Sequence, residues 1–291
     1  MTAGSSFTHK KITVNFTLTD GTFDGTNNTK TIDGLRVTAS TEAGGEPSKN
    51  KCKLKIYGMM ATDMETLTTI PAQANKPLAV HHNLVQVLAG DEETGMSLVF
   101  QGDISEAFAS WHQPPNLHFN VEAIAGFYPS LLPVAPKSFK GAVSVSSIMS
   151  TLAAQMGYTF QDAGVTAQLK NAYLPGTAMQ QASAVARAAN IEFGVDNGVL
   201  FIAPRGVARA GMAPLVSAET GLIEYPIFNK KGLKFNCLYN PGLKLGGMVN
   251  VQSEIKVCCG TWRINGLRHE LACLDPSGHW TSKVEASWLG S

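Results

Sequence analysis

Histidine is the side chain that most often moves protons near neutral pH and binds metal ions in proteins. The sequence contains seven, and two of them, His81 and His82, are neighbours. Neighbouring residues in a strand point to opposite faces of the sheet, so we do not expect these two to share a metal ion. His112 and His118 flank a Pro-Pro pair, and His279 lies in a predicted hairpin. The histidines therefore indicate no metal site and no acid–base pair.

Paired carboxylates are the next candidates, because glycan cleavage needs two of them on either side of one bond. The pairs to test first are Glu92 with Glu93, and Asp103 with Glu106. The Gly-Asp dipeptides at 90–91 and 102–103 are typical of turns. We therefore interpret these carboxylates as surface groups rather than as a catalytic pair.

Cysteine usage and motifs lead to the same conclusion. The five cysteines are Cys52, Cys237, Cys258, Cys259 and Cys273. Their number is odd and they show no C-x-x-C spacing, which argues against a zinc site and against a disulfide framework. The sequence also lacks the nucleophile-elbow, zinc-protease, P-loop and dinucleotide-binding motifs. It predicts buried, reduced thiols, no catalytic, cofactor-binding or metal-binding residues, and no enzymatic activity.

The composition indicates a protein with much of its surface covered by partners. The chain has 291 residues, enough for two or three domains, yet only 15% of them are charged. Residues 1–136 carry a net charge of −4 and residues 137–291 one of +5. This asymmetry either orients stacked protein layers or reflects two unrelated domain surfaces, and neither half is basic enough for tight DNA binding. No signal peptide and no membrane anchor are predicted.

The first 136 residues read as about six strands with one short helix. Ile12, Val14 and Phe16 alternate with polar residues, which is the period of a half-buried strand. In KCKLKIY, Cys52, Leu54 and Ile56 alternate with lysines in the same way. The lysines of this ladder are Lys51, Lys53 and Lys55. They fit either a solvated sheet edge or a surface that meets an acidic subunit or nucleic acid inside a tube, so they are interface candidates.

A proline-rich stretch at Pro133 and Pro136 predicts a domain boundary. Two amphipathic helices should follow, one ending near Gly157 and one starting after the Pro-Gly pair at 175–176. Asp196-Asn197-Gly198 then predicts a hairpin. Residues 137–206 are therefore expected to form a small helix-helix-hairpin module.

The last 85 residues, 207–291, read as strands separated by glycine turns. Their motif positions are Tyr225, Pro226, Asn240, Pro241, Gly246, His269 and Trp280. In this order they resemble the C-terminal half of phage baseplate hub proteins of the late control D family. The resemblance implies that His269 and Trp280 pack or form hydrogen bonds and do not catalyse a reaction. Trp288 is the best candidate for a contact with a subunit or a spike.

The resemblance implies a mainly β fold with an α+β insert. Two tube-protein-like β-barrel domains would occupy residues 1–136 and 207–291, with the insert module at 137–206 between them. Barrels of hub proteins exchange segments. Whether the second barrel is one continuous stretch that begins at 207 therefore stays open. The family implies a homotrimer whose six β domains form a pseudo-hexameric ring between a tail tube and a spike. No cofactor is implied.

The implied partners are a spike protein, the tail tube protein, the tape measure protein, and baseplate wedge or tail-tip proteins, with DNA only in transit. The protein would be assembled in the bacterial cytoplasm and become part of the virion. Two other classes stay open. One is the hub-like part of a type VI secretion or related contractile spike, and the other is a tail-tip cell-wall hydrolase.

Overall fold

The computed structural model describes residues 8–44, 50–69, 82–111 and 117–289, and the fold is mainly β. His81 and His112 lie outside the described residues. The strands before the proline-rich stretch are β1 (Lys11–Thr17), β2 (Thr29–Ile32), β3 (Val37–Gly44), β4 (Lys51–Tyr57), β5 (Leu84–Asp91), β6 (Gly95–Ser110) and β7 (His118–Ile124). Helix α1 (Ala61–Leu67) lies between β4 and β5.

The middle of the chain contains the helices α2 (Val145–Gln155) and α3 (Ala178–Ala189). Its strands are β8 (Lys137–Ser138), β9 (Ala142–Ser144), β10 (Thr159–Asp162), β11 (Gln168–Lys170), β12 (Tyr173–Leu174), β13 (Ile191–Asp196) and β14 (Val199–Pro204). The last strands are β15 (Leu215–Val216), β16 (Ile227–Asn229), β17 (Gly232–Leu238), β18 (Met248–Val251), β19 (Gly260–Cys273) and β20 (Trp280–Ser287).

Strands from both ends of the chain join in one 13-stranded sheet. Its main path runs β16-β17-β20-β19-β3-β4-β7-β6-β5-β1-β2, and β18 and β15 continue from β19. Within the described residues neither the strands before the proline-rich stretch nor those after residue 206 close into a ring of paired strands, so the two barrels expected from the sequence are not confirmed. An antiparallel joint between β3 and β19, from Gly44 opposite Gly266 to Val37 opposite Cys273, links the two β parts edge to edge.

The same strand arrangement occurs twice along the sheet. We call β1–β7 the first unit and β15–β20 the second unit. The order β3-β4-β7-β6-β5 of the first unit is matched by β16-β17-β20-β19-β18 in the second, with the strands in the same chain order. Both long strands carry an irregularity at the same place, between Ile104 and Glu106 in β6 and between Ile264 and Gly266 in β19. The chain therefore contains an internal structural repeat.

The lysine ladder lies inside the sheet and not at its edge. β4 pairs with β3 on one side and with β7 on the other. Its buried residues alternate with exposed Lys51, Lys53 and Lys55 as the sequence predicts. The solvated-edge interpretation of these lysines is wrong, because the sequence pattern of one strand does not reveal how many neighbours the strand has.

Three hydrophobic clusters form the interior. The first unit packs around Phe16 and Phe119, but Leu271 and Cys273 from the end of β19 complete this cluster. The second unit packs around the fully buried Trp262. A third cluster lies under α2 and α3. The domain boundaries at 136 and 206 stay predictions.

Local capping explains the two helices of the insert. Ser144 accepts a hydrogen bond from the Ser147 backbone N–H at the start of α2. Thr177 and Gln180 form a capping box at the start of α3. Each arrangement satisfies backbone donors that a helix leaves free at its first turn.

Two buried arginines hold the insert against the second unit. Arg209 donates to Asp196 Oδ2 at 2.9 Å and to the carbonyl oxygen of Leu245 at 3.2 Å. Its guanidinium also stacks over the Phe201 ring, 4.2 Å from the ring centroid. Arg263 of β19 forms an ion pair with Glu192 of β13. Buried charges are stable only when paired in this way, so the two ion pairs fix the position of the insert.

Candidate assembly surfaces

One side of the continuous sheet faces away from the hydrophobic clusters, and we call it the charged face. Its basic residues are Lys51, Lys53, Lys55, Lys234, Arg268 and Lys283. Its acidic residues are Glu42, Glu106, Glu122, Glu270 and Glu285. The two signs nearly balance and are interspersed over several strands, so the face presents no strong field of one sign.

Cross-strand ion pairs organise the charged face. Lys53 Nζ of β4 lies 2.6 Å from Glu122 Oε1 of β7. At the second unit's equivalent strands, β17 and β20, Lys234 pairs with Glu285. The two pairs occupy the same positions of the repeat, because Lys53 lies opposite Glu122 and Lys234 opposite Glu285 in matching registers. The repeat therefore includes side-chain chemistry as well as strand order.

The remaining charges of this face differ in their pairing. Glu270 accepts from Lys283 at 3.0 Å and from Arg268 at 3.1 Å, and these cations help to hold the pKa of its carboxyl below its ordinary value. Lys51 and Lys55 form no ion pair with any described residue. A shallow groove of about 620 Å³ crosses the face beside Lys55 and is also lined by Phe108 and His279.

The free side of the second unit carries an apolar edge. The segment 221–229, which ends in β16, runs along β17 as the last strand of the sheet. Its large side chains Ile223, Tyr225, Ile227 and Phe228 are all exposed. Such an edge normally carries charges that discourage pairing with other chains. Exposed apolar side chains on a sheet edge make this segment a candidate contact surface.

Trp288 lies beside this apolar edge. Its ring centroid is 4.1 Å from that of the buried Trp262 and 6.3 Å from that of Phe228. About half of the side chain is exposed. The interface roles of Trp288 and of the lysine ladder stay predictions. Reading the sequence did not single out Ile227 and Phe228, although their place next to the Tyr-Pro motif was a usable signal.

The remaining motif residues lie in turns and in packing contacts. Asn240 Oδ1 accepts from the Gly242 backbone N–H at 2.8 Å, which forms the turn after β17. Gly246 has a φ of +73°, and a Cβ there would lie 3.2 Å from Arg209 Cδ. Pro241 lines a small cavity of about 50 Å³ where the two units and the insert meet. Tyr225 Oη donates to Glu254 Oε2 at 2.8 Å, and the buried Pro226 offers its carbonyl to the Cys258 thiol.

His269 is buried on the inner side of β19. Its Nδ1 lies 2.8 Å from Ser282 Oγ, and burial lowers the pKa of the imidazole to about 4. Tyr239 packs edge-on against both His269 and Trp280. A neutral histidine with a single hydroxyl partner, enclosed by rings, is built to pack and not to exchange protons.

The carboxylates considered for glycan cleavage differ in burial and in their partners. Asp103 is buried, accepts from His82 Nε2 at 2.9 Å and has a raised pKa because of its burial. By the strand register Asp103 and Glu106 lie on the same side of β6, but Asp103 is buried and Glu106 is exposed. Glu92 forms an exposed ion pair with Lys11, which lowers the pKa of its carboxyl.

Among the described residues no group of three or more His, Cys, Asp or Glu side chains is placed to hold a metal ion. Within the same ranges, no helix has the length and apolar content needed to cross a membrane.

Comparison with known proteins places this fold among phage tail proteins. It is similar to the 43 kDa tail protein of prophage MuSo2 from Shewanella oneidensis, with a TM-score of 0.62, 10% identity and 97% of each chain covered. It is also similar to a tail protein of Neisseria meningitidis MC58, with a TM-score of 0.64, 10% identity, and 96% of this chain and 97% of that chain covered. A Francisella PdpA–VgrG complex gives a TM-score of 0.54 at 5% identity, over 100% of this chain and 55% of that one.

No curated protein matches the sequence. The sequence profile of a family described as baseplate hub gp41 does match, over residues 11–284. The expected kinship with baseplate hubs is thereby confirmed, and the chain belongs to the baseplate hub gp41 family.

Proposed function

We propose that this protein is the trimeric hub of a phage tail baseplate, joining the tail tube to a central spike. Family membership already indicates a structural role in the baseplate of the virion. The observation that carries the finer proposal is the internal repeat, two units of the same strand order joined edge to edge. Three such chains supply six similar units, which is the symmetry needed between a six-fold tube and a three-fold spike.

In this proposal the charged face lines the lumen of the ring. The face spans both units without interruption, as a wall shared by six units requires. Its balanced charges suit a channel for a tape measure protein and DNA, because a polyanion is neither held nor repelled strongly. The apolar edge and Trp288 would then meet other protein chains. Those partners would be neighbouring copies, the spike, the tube protein, and wedge or tail-tip proteins, with assembly in the bacterial cytoplasm.

The experiment for this proposal is native mass spectrometry of the purified chain over a wide concentration range. We expect a trimer, and imaging of it should show three-fold symmetry with a central opening. A stable dimer would overturn the hub proposal, because a two-fold assembly cannot join a six-fold tube to a three-fold spike. The mechanism is mechanical, and we propose no catalytic activity. Zymography on peptidoglycan tests that view. A clearing band that the wild type gives and a carboxylate substitution abolishes would contradict it.

A second candidate is the hub-like part of a type VI secretion or related contractile spike. The similarity to a PdpA–VgrG complex supports it, although this chain covers only 55% of that structure's chain. Co-purification with a separate spike protein encoded by a phage tail operon would favour the baseplate, and co-purification with secretion-sheath proteins would favour the alternative.

A further inference from the structure

The joint between the two units supplies a template for contacts between chains. Within one chain, β3 of the first unit pairs with β19 of the second, with Ser40 opposite Glu270 and Thr41 opposite His269. A ring of alternating first and second units needs a second type of joint, from the second unit of one copy to the first unit of the next. The internal repeat identifies which strands are equivalent, and hence which strands would form it.

The equivalence can be followed residue by residue. The shared irregularity aligns Glu106 of β6 with Gly266 of β19, so Ser110 corresponds to Glu270. The repeated ion pairs align Lys53 with Lys234. Ser40 lies opposite Lys53, and Ile227 lies opposite Lys234.

Two pairs of equivalent residues follow from this alignment. Ile227 of β16 takes the place of Ser40 of β3, and the next residue, Phe228, takes the place of Thr41. On the other strand, Ala109 of β6 corresponds to His269 of β19.

We infer that β16 of one copy pairs antiparallel with β6 of the next copy, in the register of the internal joint. Ile227 then lies opposite Ser110, Phe228 opposite Ala109, and Asn229 opposite Phe108. The occupant of the apolar edge is thus a second copy of this chain. This inference rests on the proposed trimer and assigns the residues through which the ring closes.

Exposure of the equivalent residues supports the inference. Thr41 is only 6% exposed because β19 covers it, whereas its equivalent Phe228 is 42% exposed. Leu271 is 2% exposed beneath the internal joint, whereas Trp111, its equivalent in the first unit, is 59% exposed. Large apolar side chains are left uncovered at the positions that the internal joint covers, as expected if a neighbouring copy supplies the missing strand.

Among the described residues, the receiving strand β6 has an unpaired side at its end. From Phe108 to Ser110, β6 pairs with β7 on one side and with no other strand among the described residues. One residue earlier, Thr69 exchanges hydrogen bonds of 3.0 and 2.8 Å with the backbone of Ala107. Thr69 therefore occupies the open side of β6 at Ala107, and an added strand can pair only from Phe108 onward. The register assigns the next three residues, Phe108 to Ser110, to the joint.

Cysteine cross-linking tests this register. Directly opposite residues of an antiparallel pair have Cβ atoms about 4.5–5.5 Å apart, and diagonal neighbours about 7–8 Å, so only the former are within disulfide reach. The test variant carries Ser110→Cys and Ile227→Cys. We expect mild oxidation to give covalent dimers and trimers on a reducing-agent-free gel, with a yield at least tenfold above that of either single substitution. Of the native thiols, only that of Cys259 is not fully buried.

Two matched controls come from the chain itself. Ser40→Cys with Glu270→Cys has the same geometry inside the internal joint, so it should cross-link within one chain and leave the mass unchanged. Ser110→Cys with Asn229→Cys lies on the same face but two residues out of register, and it should cross-link poorly.

The outcomes separate this inference from the proposed function. A native trimer in which the test pair does not cross-link, while the internal control does, overturns the joint and leaves the hub proposal standing. Cross-linking that is equal in the test and out-of-register variants also overturns the register. A chain that stays monomeric or dimeric and gives no cross-link overturns both proposals. Covalent species that continue beyond three chains support the joint and contradict a closed trimer.

Discussion

Lys53 of β4 and Glu122 of β7 form a cross-strand ion pair at 2.6 Å on the exposed side of the sheet. Both side chains are largely accessible to water, so we expect the pair to contribute less than about 1 kcal/mol to stability. A double-mutant cycle with Lys53→Met and Glu122→Gln, measured by urea unfolding, gives this coupling energy. A coupling above about 2 kcal/mol would contradict our view that the pair matters for the charge of the face and not for the fold.

Removing acidic charges from the charged face should create DNA binding. The variant with Glu122→Gln, Glu270→Gln and Glu285→Gln leaves the basic residues of this face without their partners. We expect it to bind a short DNA duplex at least tenfold more tightly than the wild type, with a steeper dependence on salt. Fluorescence anisotropy at low and physiological ionic strength measures both.

The control for that experiment removes three acidic charges elsewhere. Glu65, Glu93 and Glu219 are exposed away from the charged face, and their substitution by glutamine gives the same net charge. If the control variant binds DNA as tightly as the test variant, net charge alone explains the effect and the charged face has no special role.

Loss of Arg209 should loosen the insert. Arg209→Met leaves the carboxylate of Asp196 without its cation in a mostly buried place, and breaking a buried ion pair costs about 3–5 kcal/mol. Hydrogen exchange of β13 and β14 should rise together with the fall in unfolding free energy. Lys11→Met, which breaks an exposed pair with Glu92, is the control and should cost less than about 1 kcal/mol. Equal losses of unfolding free energy in the two variants would contradict the role of Arg209 in holding the insert in place.

Burial of His269 predicts a dependence of stability on pH. The pKa is about 4 in the folded chain, against an ordinary value of about 6.5. Between these values the unfolded chain binds a proton that the folded chain does not, so stability falls as the pH decreases from 6.5 to 4. The full shift corresponds to roughly 3 kcal/mol.

Comparing unfolding free energies at pH 7 and pH 4.5 for the wild type and for His269→Gln isolates this contribution. The wild type should lose more stability on acidification than the variant does. An identical pH dependence in the two proteins would show that other groups, such as the buried Asp103, dominate.

Charge at the apolar edge should weaken assembly without unfolding the chain. Ile227 is 65% exposed, so Ile227→Glu should change the stability of the monomer by about 0.5 kcal/mol or less. The dissociation constant of the trimer should rise at least tenfold, which light scattering after size-exclusion chromatography measures. Met212→Glu, at another exposed apolar residue, is the control. A trimer unaffected by the first substitution would exclude this edge as the subunit contact.

Local patterns predicted the elements that depend on neighbouring residues. The alternation around Val14 and Leu54 and the hairpin at Asn197 follow from contacts within a few positions. The strand β2 was not predicted, because its residues Thr29–Ile32 lie in a stretch whose composition is typical of a loop.

Long-range relationships could not be read from local patterns. Nothing in the sequence near Val37 indicates that this residue pairs with Cys273. The single sheet that joins the two units was therefore not predicted. For the same reason the ion pair of Glu122 with Lys53 was not foreseen, although the lysine was singled out. The exposed edge at Phe228 depends on which strand comes last in the sheet, which is a property of the whole topology.

The contribution of Leu271 and Cys273 to the core of the first unit has a consequence for biosynthesis. A ribosome makes the first unit early, but the last side chains of its core emerge only near the end of translation. Until then β3 has an open edge, which any other strand could occupy. A chain truncated before β19 keeps that edge open and lacks these two core side chains, so the first unit is complete only after translation through β19.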